Sequence, residues 1–160
     1  MGIKASFTKS SLDNYFVQVL QIAKEETLRT LSFLGEQAVS RVRDRSGEES
    51  WFDRTGNLRS SIGYAVTEYG KKQIESSFAQ VLGGAEGSAR GRQYIDQLAQ
   101  KYSDTYALIV VAAMDYAERV EALDSKDVLA STELWAKHEM NRYMDMTKKR
   151  IANRISKLTL

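Results

Sequence analysis

The sequence contains no cysteine and only one histidine, His138, among its 160 residues. Without cysteine the chain has no disulfides, no thiol nucleophile and no cysteine-ligated zinc. His138 and Glu139 begin like the helix motif of zinc proteases, but Arg142 stands where that motif needs its second histidine. The sequence therefore predicts no catalytic residues, no metal site and no cofactor.

Proline is also absent, and the longest apolar run, Ala107 to Met114, is far shorter than the roughly 20 residues of a membrane span. We therefore expect no membrane partner. The net charge of +2 is too small to indicate a dedicated nucleic-acid binder. A hydrophobic fraction of 42% with 28% charged residues is typical of a globular domain, and the length predicts one such domain.

The N-terminal third has the periodicity of one long helix. Residues 1–12 are small and polar, which predicts an N-terminal arm before a single domain over residues 13–160. Asp13 is the predicted N-cap of a helix that reaches about Arg45. Its predicted core-facing residues recur at three- and four-residue steps: Phe16, Leu20, Ala23, Leu31, Leu34, Ala38 and Val42. Phe33 widens this surface, so a subunit contact and a broad core-facing stripe both stay open.

A turn and a β-hairpin follow. Residues 53–57 carry the Asp, Gly and Asn side chains that favour turns, and alternation from Leu58 predicts a strand to Glu68. A hairpin turn over residues 69–72 then leads to a second, antiparallel strand. The predicted inner face of that second strand consists of Ile74, Phe78 and Leu82.

The only glycine-rich tract covers residues 83–92. It lacks the Gly-Lys-Ser/Thr ending of a phosphate-binding loop. We therefore predict a flexible loop, on the residues Gly83, Gly84, Gly87 and Gly91.

The remaining sequence predicts a short amphipathic helix, a strand and a long C-terminal helix. Tyr106 to Ala112 is apolar at every position, which predicts a central strand covered on both faces. Val128-Leu129 is a candidate edge strand, and Ser131 or Thr132 is the predicted cap of the last helix. The predicted fold class is α+β, with a long N-terminal helix, a small mostly antiparallel β-sheet and a long C-terminal helix.

Two short blocks carry a family resemblance: TGNLRSSI at residues 55–62 and YAERVE at residues 116–121. In this order, after a long N-terminal helix, they resemble the phage neck and tail-completion proteins, which join a capsid to its tail. Many members continue the second block with an aromatic residue, Gly-Thr and a proline-containing segment. Residues 122–127 of this chain depart from that pattern, so a partner contact of that loop is not carried over.

The resemblance implies a non-enzymatic structural protein of the virion neck or tail, present in the host cytoplasm during assembly. It implies a homo-oligomeric ring between a portal-side adaptor or head-completion protein and a tail protein, with DNA passing non-specifically through the channel. We assign subunit or partner contacts to Trp51, Phe52, Arg54, Arg59, Phe33, Glu118 and Glu121.

The residues leave two alternatives open. Basic side chains near the ends of the first and last helices, such as Arg43 and Lys149, fit a small cytosolic nucleic-acid-binding or regulatory module. Solvated helix ends explain the same charges, because cations interact favourably with the C-terminal end of a helix. The third reading is an enzyme whose carboxylates come together from distant parts of the chain.

Overall fold

The computed structural model describes residues 7–44, 53–122 and 128–159. These ranges confirm the predicted α+β class, with long helices at both ends and a small antiparallel sheet between them. The elements in chain order are α1 (Lys9–Arg43), α2 (Asn57–Ser60), β1 (Ile62–Glu68), β2 (Lys71–Glu75), α3 (Ala85–Ala99), β3 (Tyr106–Ala112), α4 (Ala117–Ala122) and α5 (Ala130–Ile155).

The central strand of the sheet is β1, because the strand order is β2-β1-β3 and both pairings are antiparallel. The prediction that Tyr106–Ala112 is the central strand is therefore wrong. Within the described residues β3 is an edge strand, and only Ile109 and Val111 on it are buried. Its apolar run reflects helices on both faces of the sheet, which a sequence cannot distinguish from strands on both sides.

Helices cover both faces of the sheet. On one face α1 packs over Ile62, Tyr64 and Val66, the alternation that the sequence predicted for β1. On the other face α3 packs over β1 and β3, where Ile95 contacts the residues that point away from α1. The remaining long helix, α5, lies along α1 in the opposite direction, as the contacts Phe33–Tyr143, Arg41–Trp135 and Glu26–Arg150 require.

The N-terminal end of α1 differs from its prediction. Thr8 is the N-cap: its hydroxyl accepts a hydrogen bond from the Ser11 N–H at 3.1 Å, and the Ser11 hydroxyl accepts one from the Thr8 N–H. This reciprocal capping box starts the helix at Lys9, so Asp13 lies inside it and the predicted arm overlaps its first turn. Residues 1–6 and Arg45 lie outside the described residues.

The core stripe of α1 also starts later than predicted. Phe16 and Leu20 are 56% and 69% exposed, and the first buried residue of the helix is Ile22. The physical reason is length. A helix of 35 residues spans about 50 Å, more than twice the length of the seven-residue strands that it covers.

Two predictions for shorter segments also differ from the structure. β2 pairs with β1 as predicted but ends at Glu75, because Ser76 bonds back to Tyr64 through its N–H and its hydroxyl. Phe78 then turns into the core under α3, with a φ of 48°. The predicted edge strand at Val128-Leu129 does not form; Val128 is buried, and the backbone of Leu129 caps α5.

A buried carboxylate joins α1 to α5. Glu26 is 5% exposed and accepts hydrogen bonds from Arg150 Nε at 2.9 Å and Arg154 Nη1 at 3.0 Å. Burial alone would raise the pKa of Glu26, but the hydrogen bonds from Arg154 and Arg150 outweigh it and hold the pKa below its usual value. Arg150 also donates to the Thr30 hydroxyl, so one cluster fixes the register of the two long helices.

We expect Glu26→Gln to lower the free energy of unfolding by about 1.5–3 kcal/mol, because the amide keeps the shape but loses the charged hydrogen bonds. The pKa of Glu26 is lower in the folded chain, so its stabilisation is present above the unfolded pKa and is lost as the pH falls through the folded pKa. Urea unfolding at neutral and acidic pH measures both effects.

The matched control is Glu25→Gln, which removes the same charge from the neighbouring, exposed carboxylate. We expect a clearly smaller loss for this exposed surface pair, because solvent screens it. Equal losses for the two variants at neutral pH would contradict a special role for Glu26.

Candidate functional site

The first sequence block folds into a turn and the short helix α2 before β1 begins. Gly56 caps α2 with a φ of 76°, and a Cβ at this position would lie 1.8 Å from the carbonyl oxygen of Val81. Asp53 Oδ2 accepts a hydrogen bond from the Arg59 N–H at 3.0 Å, and Leu58 is buried in the core. The block is therefore fixed by packing beneath it: Thr55 is exposed and Asn57 is half-buried, whereas Ser60 and Ser61 are fully buried.

The glycine-rich tract is ordered helix from Ala85 onward, so the prediction of a flexible loop over residues 83–92 is wrong. A Cβ would lie 1.9 to 2.2 Å from a neighbouring atom at Gly84, Gly87 and Gly91. At Gly87 that neighbour is the main-chain oxygen of Asn57. These glycines let α3 approach α2 and the core more closely than any side chain would allow, and composition alone does not separate that role from flexibility.

Asn57 ties the first block to the start of α3. Its side-chain oxygen accepts a hydrogen bond from the Gly87 N–H at 3.2 Å, and its amide nitrogen donates to Glu86 Oε2 at 3.4 Å. The asparagine of the block thus has a positioning role, because it sets where α3 begins relative to α2.

The second block joins the same surface. Thr55, Asn57 and Leu58 of the first block and Tyr116 and Val120 of the second line one open cleft of about 490 Å³. Burial raises the pKa of Tyr116, and the negative charges of Asp53 and Glu86 add to the rise. The tyrosine hydroxyl therefore stays protonated at physiological pH and is available for hydrogen bonding.

Arg90 from α3 crosses this cleft. Its Nη1 donates to Asp115 Oδ2 at 2.6 Å, and its Nη2 lies 3.1 Å from Glu86 Oε1. The hydrogen bond to Asp115 raises the pKa of Arg90 above its usual value. One cation is thus shared by two carboxylates at the surface, an arrangement suited to exchanging ion pairs with another molecule. Sequence reasoning missed Arg90, because it treated the start of α3 as a loop.

The structure separates the predicted contact residues. Arg54 lines the cleft between the two blocks, and Glu118 lines an adjoining open cleft of about 550 Å³ beside α3 and α4. Phe33 lies elsewhere and packs on the Tyr143 ring at 5.3 Å between centroids, so it contributes to the α1–α5 contact.

Three other predicted contacts have different outcomes. Arg59 is half-buried, and its main chain is held by Asp53. Trp51 and Phe52 lie outside the described residues, as does the side chain of Glu121.

No protein-family model matches the chain, and searches of curated proteins and of solved structures find no match. In the described part of the chain, no group of three or more His, Asp or Glu side chains could hold a metal ion. No helix among the described residues has the length and hydropathy needed to cross a membrane. The function is therefore argued from the two blocks and the surfaces around them.

We expect Gly87→Ala to lower the free energy of unfolding by about 1–3 kcal/mol, because the new methyl group would overlap the Asn57 main chain. Chemical denaturation followed by circular dichroism measures the loss. Gly83→Ala is the matched control, since the nearest atom to a Cβ there is 3.9 Å away. It should change stability by no more than about 0.5 kcal/mol. If both variants were neutral, the close packing of α3 would be disproved.

Proposed function

We propose that this chain is a structural virion protein of a tailed bacteriophage that forms an oligomeric ring in the neck or tail-completion region. In this role it joins the portal-side connector to the tail. The observation that carries the proposal is that the two resembling blocks meet in one cleft, which Thr55 lines from the first block and Tyr116 from the second. Two short matches that arose by chance would have no reason to share a surface.

The chemistry of this cleft supports recognition of another protein. Arginine and tyrosine are enriched where proteins bind one another, since both combine a broad contact area with directed hydrogen bonds. Here Arg90 and Tyr116 stand beside Asp115, whose side chain is 86% exposed. A partner that offers its own charges at this cleft can exchange ion pairs with them without burying an unpaired charge.

A second surface supports assembly: the outer edge of β3. Ser76, on the β2 side, bonds both the N–H and the C=O of Tyr64. Because hydrogen-bonding directions alternate along a strand, Ala65 faces β3, and its partner Ile109 faces back toward β1. Leu108 and Val110 therefore direct their N–H and C=O groups outward.

No strand of the described chain pairs with this edge of β3. Unpaired strand edges accept strands from other chains, so the edge provides main-chain hydrogen bonds for a neighbour. A ring needs two different patches on each copy, and an edge strand is well suited to be one of them.

The alternative of a nucleic-acid-binding module receives less support. This alternative relies on the positive charge at the C-terminal end of α5. Part of that charge is neutralised, because Arg150 and Arg154 form ion pairs with Glu26 and Glu25. Lys149 remains exposed on the opposite side. A few exposed lysines provide few of the phosphate contacts that drive DNA binding.

The proposal predicts that the chain is present in purified virions, detectable by mass spectrometry and located at the neck by antibody labelling. Combined with its neighbouring virion proteins, it should form rings of uniform subunit number in electron micrographs. A chain that is strictly monomeric and absent from virions would contradict the proposal. Salt-dependent DNA binding by that monomer would instead favour the nucleic-acid-binding module.

Arg90→Glu tests the cleft itself. The side chain is 40% exposed, so we expect folding to persist, while the reversed charge repels Asp115 and Glu86 and reduces incorporation into virions. Lys149→Glu, on the exposed side of α5, is the matched charge reversal and should leave incorporation unchanged. Equal incorporation of both variants would remove the cleft from the proposal.

A further inference from the structure

The first turns of α1 are only partly covered by the described chain. No residue from Lys9 to Gln21 is buried, although this stretch carries large apolar side chains. Three of them are more than half exposed: Phe16, Val17 and Leu20. The stretch is about 20 Å long, and an isolated helix of that length is only marginally stable in water. We call residues 9–21 the free end of α1.

An apolar groove lies toward the other end of the molecule. Leu108 and Val110 of β3 line it together with Ala136 and Met140 of α5, and its volume is about 450 Å³. Ala38 of α1 also lines it, about 27 Å along the helix axis from Leu20. Since both positions belong to one helix, the free end cannot reach the groove of its own chain.

Charges indicate what fits the groove. On the free end, Lys9 and Asp13 lie one turn apart and are exposed. Beside the groove, Glu133 and Lys137 lie one turn apart on α5, pair with each other at 2.5 Å and are 63% and 71% exposed, so a second helix can exchange this surface ion pair for its own charges. When the two helices run parallel, Lys9 faces Glu133 and Asp13 faces Lys137. The free end of a second copy therefore complements the rim of this groove.

The same parallel alignment matches the apolar residues. One further turn along each helix, Phe16 falls opposite Met140, which lines the groove, and Leu20 falls opposite Met144, one turn of α5 beyond the groove. Both methionines are half-buried, so each has apolar surface left to cover. A helix that places residues at i, i+4, i+7 and i+11 in an apolar groove is a recurrent mode of recognition between proteins.

We propose that two copies of the chain form a twofold dimer in which the free end of each α1 lies in the groove of the other copy. Within one copy α5 runs opposite to α1, so a helix parallel to the α5 of the second copy is antiparallel to its α1. A twofold axis between the copies requires this antiparallel relation of the two α1 helices, and such an axis fills both grooves at once. The dimer closes on itself, so a ring requires a different surface, such as the cleft or the edge of β3.

The first test compares Leu20→Glu with Leu134→Glu. The two leucines are 69% and 70% exposed, but Leu134 does not line the groove. We expect Leu20→Glu to raise the dissociation constant of the dimer, measured by sedimentation equilibrium, at least about tenfold, because the dimer would bury this leucine. Leu134→Glu should leave the dissociation constant unchanged. A wild-type chain that stays monomeric at its highest soluble concentration overturns the dimer, as do equal effects of the two changes.

The second test reverses charges. Asp13→Lys and Lys137→Asp should each weaken the dimer a few-fold, and the double variant should recover the wild-type affinity. Both positions are exposed, so we expect each variant to fold. Losses that add in the double variant, without recovery, overturn this alignment.

The third test is disulfide crosslinking, and native thiols cannot interfere with it because the sequence contains no cysteine. A mixture of Asp13→Cys and Lys137→Cys chains should form the mixed disulfide under mild oxidation, whereas Asp13→Cys with Leu134→Cys should form little. Equal yields overturn the contact. The dimer does not rest on the proposed virion role: a dimer absent from virions would remove that role only, and a ring without this contact would remove the dimer only.

Discussion

The structure depends on the close approach of helices to the sheet, which glycine permits on both faces. A Cβ at Gly35 would lie 2.3 Å from the ring of Tyr64, so the bare backbone of α1 is what makes room for this buried tyrosine. Its hydroxyl then bonds Glu36 at 2.8 Å, which places the polar end of the ring beside α1. The opposite face of the sheet has a similar contact, in which the Phe78 ring packs against Gly63 and Gly91. On each face, the packing of one aromatic ring against glycine therefore sets the distance between the helix and the sheet. A glycine within a helix lowers the stability of that helix by up to about 1 kcal/mol relative to alanine.

These two contacts determine which surfaces remain for other molecules. With α3 drawn close to the sheet, its first turn reaches α2, and Arg90 comes to lie beside Asp115. With α1 fixed at Gly35, the buried cluster of Glu26 sets the register of α5, and the first turns of α1 extend past the domain. The cleft and the free end are thus consequences of core packing at a distance. A change at Gly35 would shift α1 and, with it, the α5 wall of the apolar groove.

The elements that the sequence predicted well are those set by local periodicity. The alternation in β1, the hairpin and both long helices follow from residue spacing, and the structure contains them. The failures concern quantities that spacing does not encode. Phe16 and Leu20 repeat with the core residues, yet periodicity cannot tell where the domain beneath a helix ends. The glycines of α3 have the composition of a linker, although their neighbours in space make them packing residues. Of the contact residues predicted from the sequence, Arg54 lines the candidate cleft and Glu118 lines the adjoining one, and their contacts stay predictions. Arg90 was missed because its position depends on a helix boundary that the sequence did not reveal.

The two kinds of surface differ in chemistry, and the difference bears on the order of assembly. The free end of α1 and the groove are apolar, and such surfaces are typical of permanent contacts, because leaving them in water is unfavourable at every stage. The cleft around Arg90 is polar, and Arg90, Glu86 and Asp115 are already paired with one another within the chain. A surface of that kind is stable when uncovered and can meet its partner later, by exchanging one set of ion pairs for another. On these two proposals, copies of the chain associate first through the apolar surfaces, and the cleft remains available for a later protein contact.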